Sequence, residues 1–336
     1  MLNGHGDDGY RHNKQIVADF STNVWYGGSP DGLKSHLFAN WDKIHKYPEV
    51  TGESLTDKIA AHYGMNSDQF LVANGSTESI YLIAQTFKGK KSAIVIPAFA
   101  EYEDACVMHE HQVSYIAWED LRPDMALETD VLFICNPNNP TGAAIDWLPD
   151  LIIGNPETVF VVDEAFIEFT VLVESVVRLT KNYNNLIVMR SMTKAYAIPG
   201  LRLGYIVSST ELIQHLKRLK LPWTVNVPAL EAGHFIFDHY DKLQLPIESL
   251  LQDKEAFIKG LSAVDTLKIT ASKTHFFIAE TTIRNAPMLK LFLLKEFNIL
   301  IRDASNFRGL GTGCIRLATL DKVKNELLIK ALLQWK

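Results

Sequence analysis

Four short polar clusters interrupt apolar stretches in the middle of the chain, and together their residue types can do chemistry. They are Pro97 with Phe99 and Tyr102, Asn136-Pro137-Asn138-Asn139-Pro140-Thr141-Gly142, Asp163-Glu164, and Arg190-Ser191-Met192-Thr193-Lys194. A lysine amine such as Lys194 can serve as a covalent nucleophile and proton carrier. Asp163 closes an apolar run, and a carboxylate buried there is costly unless it meets a cation, such as a protonated pyridine nitrogen. Pro137 can continue neither a helix nor a central strand, so the second cluster is a rigid turn presenting an Asn side chain. Eight residues beyond Lys194, Arg202 sits in Gly200-Leu201-Arg202-Leu203-Gly204. The glycines allow close backbone approach, and a guanidinium grips phosphate bidentately. Upstream, Asn74-Gly75-Ser76-Thr77 opens a segment with helical spacing, and a helix N-terminus rich in hydroxyls suits a phosphate. Taken singly, each has a plainer reading: a surface lysine, a turn entering a strand, an ordinary N-cap.

The elements that would position these residues are legible as apolar runs rich in Val and Ile at 92–97, 131–135, 158–163, 185–190 and 203–207. Such runs are fully buried strands. Between several of them lie helical patterns, as in Ile80, Ile83, Ala84 and Phe87, or Leu212, Ile213, Leu216 and Leu219 ahead of Pro222. The pattern predicts an α/β fold with a mostly parallel sheet. Ligands of such sheets bind beyond the carboxyl ends of the strands, which is where the polar clusters fall, so they describe one pocket.

Composition agrees with this. Of 336 residues, 33 are Lys or Arg and 39 are Asp or Glu, a net charge of −6, which argues against a basic nucleic-acid binder. With 47% hydrophobic and 21% charged residues the chain can bury a sizeable core, expected as two lobes. No apolar run approaches the roughly 18 residues of a membrane span. The polar, Gly-rich start from Met1 to Tyr10 has no signal-peptide core, so the cytoplasm is the expected location. Cys106, Cys135 and Cys314 have no CxxC spacing and read as reduced thiols.

In this order the clusters resemble those of the fold type I enzymes that use pyridoxal 5′-phosphate (PLP), from about His5 to about Leu317. The resemblance implies that Lys194 forms the Schiff base with the cofactor, Asp163 pairs with its pyridine nitrogen and Asn139 hydrogen-bonds its phenolic oxygen. It implies that Arg202, Ser191, Thr193 and the amides of Gly75, Ser76 and Thr77 hold the cofactor phosphate, while Tyr102 stacks on the ring. Tyr47, in Lys46-Tyr47-Pro48-Glu49, would reach the phosphate of a neighbouring subunit, which implies a homodimer. The implied architecture is a large PLP-binding domain over about 41–230 and a smaller α+β domain built from 1–40 and 231–336.

Within that group the chain is similar to histidinol-phosphate aminotransferases and to threonine-phosphate decarboxylases. Ile299-Leu300-Ile301-Arg302 and Cys314-Ile315-Arg316-Leu317 match both families, whose corresponding arginines bind substrate anions, so Arg302 and Arg316 imply a phosphorylated substrate. Phe166, in Asp163-Glu164-Ala165-Phe166, stands where histidinol-type aminotransferases usually have Tyr and matches the decarboxylases. Phe99-Ala100-Glu101-Tyr102, the 197–205 and 222–226 segments and the early His5-Gly6 are similar to the decarboxylases as well. His5-Gly6-Asp7-Asp8-Gly9 departs from their usual His-Gly-Gly. Asp19-Phe20-Ser21-Thr22-Asn23 resembles the segment that closes over substrate, which makes Asn23, with His5, a contact to the substrate phosphate. The reaction implied is decarboxylation of L-threonine O-3-phosphate to (R)-1-amino-2-propanol O-2-phosphate, a step of cobalamin synthesis. Histidinol-phosphate amino transfer is the alternative, and a PLP-binding sensor without turnover comes third, disfavoured because the sequence has no helix-turn-helix pattern.

Three weaker signals have plain readings. The GxGxG string in 308–313 precedes a predicted strand, not a helix, so a dinucleotide site fails and a flexible substrate-side loop is expected. His109-Glu110-His111 lacks further ligands and is expected on a solvated helix face, with no metal site. Asp253-Lys254-Glu255 and the Lys88 to Lys91 cluster read as solvated charges.

Overall fold

A computed structural model describes residues 8–12 and 15–336. In chain order its strands are Ala18–Asp19 (β1), Phe70–Ala73 (β2), Lys91–Ile96 (β3), Gln112–Ala117 (β4), Val131–Cys135 (β5), Val159–Asp163 (β6), Leu186–Ser191 (β7), Gly204–Val207 (β8), Leu267–Ile269 (β9), Phe276–Thr281 (β10), Ile299–Leu300 (β11), Arg302–Asp303 (β12) and Cys314–Ala318 (β13). Seven form one sheet in the order β2-β8-β7-β6-β5-β3-β4. The five strands from β4 to β7 are parallel, whereas β8 runs antiparallel to both β7 and β2. Every residue of β5 is buried, as its unbroken apolar run requires of a central strand with helices on both faces. The parallel register brings the carboxyl ends of β3, β5, β6 and β7 to one edge.

Helices cover the sheet with the faces their spacing predicts. Helix Gly75–Thr86 buries Ile80, Ile83 and Ala84 and ends with Phe87 at its C-cap. In Thr210–Leu219 the Ser209 side chain accepts from Leu212 N at the N-cap, and Ile213 and Leu216 are buried. The short β2 and the half-exposed edge strand β4 were not anticipated. β2 has only four residues, and β4 alternates without a long apolar run.

A second core lies under the four-stranded antiparallel sheet β12-β13-β10-β9, built by Phe257, Phe277, Leu293, Leu317 and Leu328. Ala18 and Phe20 join it, since β1 pairs in parallel with β11. The helix Val227–Asp238 packs into the first core through Ala232, Phe235 and Ile236, and Phe276 and Ala318 carry that core onto β10 and β13. The ends of these two strands are where the cores meet. Among the described residues no helix is long and apolar enough to cross a membrane.

Two expectations of solvated charge need correction. His111 is buried at the turn into β4, with Nδ1 2.6 Å from the Ser92 hydroxyl on β3 and Nε2 2.8 Å from the Ala84 carbonyl oxygen of helix Gly75–Thr86, because its side chain lies between that strand and that helix. Lys254 is also buried and donates to Glu255 and, at 2.9 Å, to the Ser272 carbonyl oxygen. No cluster of metal-binding side chains occurs among the described residues.

On the opposite side of β6 and β7 from the polar edge lies a buried ion network. Arg190 pairs with Glu164 at 3.3 Å and with Glu168, while Glu164 also accepts from Ser175 Oγ and Val176 N, both at 2.6 Å. Breaking a buried pair from one side leaves an uncompensated charge. Arg190→Met should therefore lower the stability measured by urea unfolding by about 3 to 5 kcal/mol; a loss below about 1 kcal/mol would show that the network does not brace these strand ends.

Candidate active site

The strand ends and the second core enclose a cavity of about 250 Å³. Asp163 closes β6 on one wall, and Lys194 enters three residues after β7. The Asn138-Asn139 turn after β5 is fixed by its own hydrogen bonds: Gly142 N donates to Asn138 O and Asn138 N to Ala143 O, both at 2.7 Å. It sets Asn139 into the wall.

Asp163 is fully buried and receives two donors, the Tyr102 hydroxyl at 2.6 Å and the Ala165 N–H at 2.9 Å. Burial pushes its carboxyl up, while these hydrogen bonds and the Lys194 charge oppose the shift. No Lys or Arg is ion-paired with it among the described residues. Tyr102 was expected as a stacking ring. Its ring lines the cavity and lies 5.8 Å from that of Phe133, nearly parallel, and its hydroxyl also steadies Asp163; Phe99, edge-on to it at 6.1 Å, lines the cavity as well.

Opposite, Ser76 and Thr77 in the first turn of helix Gly75–Thr86 face Arg202 and Thr193. Gly75 has φ +75°, and a Cβ there would stand 2.6 Å from Arg202 Nη2, so only glycine lets the guanidinium lie over this helix end. Arg202 itself adopts a left-handed φ of 62°. It donates to Pro199 O at 3.2 Å and has no carboxylate partner among the described residues, and burial lowers its pKa. Ser191 is buried behind this wall with its hydroxyl 2.8 Å from that of Thr193. A helix N-terminus, a half-buried guanidinium and two hydroxyls form a cradle for a dianion.

The remaining wall belongs to the second core. Arg302 and Arg316 stand directly opposite one another on β12 and β13, both buried. Like charges in that register repel unless an anion lies between them. Arg316 donates to Asn139 Oδ1 and to Ser21 O, both at 2.6 Å, and its Nε has no hydrogen-bond partner. Burial, then the charge of Arg302, brings its pKa down to about 9. Arg302 donates to Asn306 Oδ1 at 3.0 Å and to Asp303 O at 2.6 Å. Asn23, 1% exposed, lines the cavity, and neither polar atom of its side chain has a partner. Phe166 completes an apolar side, edge-on to Phe276 at 4.8 Å.

The structure thus gathers Lys194, Asp163, Tyr102, Asn139, Ser76, Thr77, Thr193, Arg202, Asn23, Arg302 and Arg316 around one cavity, with Gly75 and Ser191 directly behind. Tyr47 does not join them: it is 83% exposed, its ring 5.2 Å from that of Trp223. His5 lies outside the described residues. The 308–313 loop, expected as flexible, is tied down at its start, where Arg308 pairs bidentately with Glu103 at 2.6 and 3.0 Å. Two residues of this region escaped the sequence reading. Phe307, just ahead of that loop, lines the cavity. His275 is buried against the Phe169 ring at 4.0 Å, its nitrogens unpartnered, and burial, with Arg316 and Lys194 nearby, lowers its pKa to about 3. Neither lies in a patterned segment, so no local signal could have found them.

These features suit one small bound group with a cationic ring nitrogen at Asp163 and a phosphate at the cradle, and they leave Arg316 and Asn23 for a second anion. Fold and cavity define a class: an open α/β sheet whose strand ends present an amine, a buried carboxylate and two anion sites. Comparison with known proteins agrees. Residues 16–332 match the family model for aminotransferase class I and II. The threonine-phosphate decarboxylase of Salmonella typhimurium is 31% identical over 94% of this chain and 90% of its own. The crystal structure of L-threonine-O-3-phosphate decarboxylase from Porphyromonas gingivalis superposes with a TM-score of 0.91 at 37% identity, covering 95% of this chain and 99% of that one. The histidinol-phosphate aminotransferase of Methanosphaera stadtmanae is 28% identical over 94% of this chain and 89% of its own. The chain belongs to the class I and II aminotransferase family, and its cofactor is pyridoxal 5′-phosphate.

Because folding raises the Asp163 pKa, the ionised carboxylate costs stability at neutral pH in the cofactor-free protein, and that cost disappears as pH falls through the folded pKa. Asp163→Asn should stabilise the apoprotein at pH 7 by about 1 kcal/mol, an advantage that shrinks toward pH 4, while abolishing turnover. Calorimetry of both apoproteins across that range checks the sign; a variant less stable at pH 7 than at pH 4, relative to the parent, would contradict it.

Proposed function

We propose that this protein is a PLP-dependent decarboxylase that converts L-threonine O-3-phosphate to (R)-1-amino-2-propanol O-2-phosphate and carbon dioxide. The observation that carries the reading is the facing pair Arg302 and Arg316 beside an unpartnered Asn23, a second anion site across the cavity from the phosphate cradle. The relatives named as threonine-phosphate decarboxylases support it, and Phe166 removes a hydroxyl from the cofactor side.

Bound in the cavity, PLP supplies an electron-withdrawing ring that takes up the electron pair left on the α-carbon when its bond to the carboxylate breaks. Asp163, held by Tyr102 and Ala165, keeps the ring nitrogen protonated, and Asn139 orients the phenolic oxygen. The Gly75–Thr77 amides, Ser191, Thr193 and Arg202 hold the cofactor phosphate. Lys194 would hold the cofactor through its amine and is the residue placed to return a proton to the substrate α-carbon. Arg302, Arg316, Asn23 and His5 grip the substrate phosphate. That grip would hold the substrate so that its carboxylate, and not the hydrogen on the α-carbon, is the group that leaves. The enzyme works as a homodimer in which Tyr47 reaches across to the neighbouring cofactor phosphate; its outward exposure supports this.

Purified protein with PLP and L-threonine O-3-phosphate, without any keto acid, should release carbon dioxide and aminopropanol phosphate over many turnovers. Amino transfer from histidinol phosphate to 2-oxoglutarate in the same preparation, with no such release, would assign it to the aminotransferases instead; cofactor absorbance without turnover of either would favour a sensor. Arg316→Ala should cost about 2 to 4 kcal/mol, roughly 30- to 700-fold in kcat/KM, and a change below about twofold would remove Arg316 from the site. Lys194→Ala should lose the absorbance of lysine-bound cofactor and nearly all turnover.

A further inference from the structure

Behind the cradle, the turn that follows helix Thr210–Leu219 holds both of its walls. The Lys220 side chain is almost fully buried, 1% exposed. Its ammonium reaches three acceptors: Oε1 and Oε2 of Glu78, each at 2.9 Å, and Oγ1 of Thr224 at 2.7 Å. An ammonium has three donors, so all are used. Glu78 lies in the first turn of helix Gly75–Thr86, and its Oε2 accepts the backbone N–H of Asn74 at 2.6 Å. At the far end of the turn, Asn226 Nδ2 donates to Leu201 O at 2.9 Å, immediately before Arg202, while Asn226 Oδ1 caps the helix Val227–Asp238.

A carboxylate in the first turn of a helix is ordinarily favourable because it faces the positive end of the helix dipole. This turn is different, since the same helix end faces Arg202 and has to receive a phosphate. An unpaired Glu78 would repel that phosphate across a partly water-excluded gap, where charges act strongly. The Lys220 ammonium spans both carboxylate oxygens and cancels this charge.

We propose that Lys220 is a positioning residue for the cofactor phosphate: it neutralises Glu78, which can then hold the Asn74 N–H and shape the helix end without expelling the phosphate, while Asn226 fixes the peptide before Arg202 on the opposite wall. The proposal rests on the reading of the cradle as the cofactor phosphate site.

The test is the dissociation constant of the full-length apoprotein for PLP and for unphosphorylated pyridoxal, read by absorbance titration. Lys220→Met should weaken PLP by about tenfold or more and pyridoxal by less than about twofold, because only the phosphate meets the exposed charge of Glu78. Glu78→Gln should move the PLP-to-pyridoxal ratio the opposite way, and the double variant should recover PLP binding to within about threefold of the parent, an interaction that mere packing loss would not produce. Equal losses for the two ligands, or a double variant as weak as Lys220→Met, would overturn the proposal. Should Lys220→Met fail to fold, as judged by circular dichroism, the direction of the Glu78→Gln ratio decides. A parent protein that binds no PLP would refute the cofactor reading itself, a result distinct from any pattern among the variants.

Discussion

Charge buried without opposite charge governs this molecule. Asp163 and Arg316 are fully buried on facing walls of one cavity, each held by neutral donors or acceptors and neither ion-paired among the described residues. Burial drives the two in the directions physics requires, the carboxyl up and the guanidinium down. Such groups persist only where the surrounding backbone is over-determined, and the polar strand ends provide that. The turn after β5, the Tyr102 hydroxyl and the Ala165 N–H all converge within a few residues of the sheet edge.

Strand alternation explains how one sheet edge carries both a reactive site and its support. Asp163 and Glu164 are neighbours in sequence, as are Arg190 and Ser191, and successive side chains leave a strand on opposite faces. Asp163 lines the cavity and Ser191 lies against Thr193 of its wall, whereas Glu164 and Arg190 meet each other, with Glu168, on the other face. The charges on the hidden face are paired with one another. Those on the cavity face are left for a ligand.

The second core contributes differently. β13 pairs with β10 and with β12, so the cross-strand register alone sets Arg316 opposite Arg302 and beside Ile278. That pair would be unfavourable in an ordinary sheet and is an asset where an anion is to be bound. The Ser21 carbonyl, brought in because β1 pairs with β11, accepts from Arg316, and Asn139 from the large sheet accepts from it too. One guanidinium thus links segments nearly 300 residues apart with the turn that lines the cofactor side.

Much of this was legible from sequence because it is local. Five buried strands announce themselves as apolar runs, the helices by their spacing, and the polar clusters by standing where each strand must stop. Most of the residues that the family resemblance assigns to the cofactor sit at strand ends or helix starts that sequence can locate. Tertiary structure decided what depends on distant neighbours. His111 and Lys254 look like surface charges in their own segments and are buried by what folds over them. Tyr102 lends its hydroxyl to Asp163 rather than only a ring face, because Phe133 on β5 fills the space beside it. Phe307 reaches the cavity, and His275 is buried beside Phe169, from unpatterned loops, and the facing of Arg302 and Arg316 is a matter of strand register. Sequence carries the identity of the chemical groups; only the packed chain determines which of them share a dielectric environment, and that environment determines their charge.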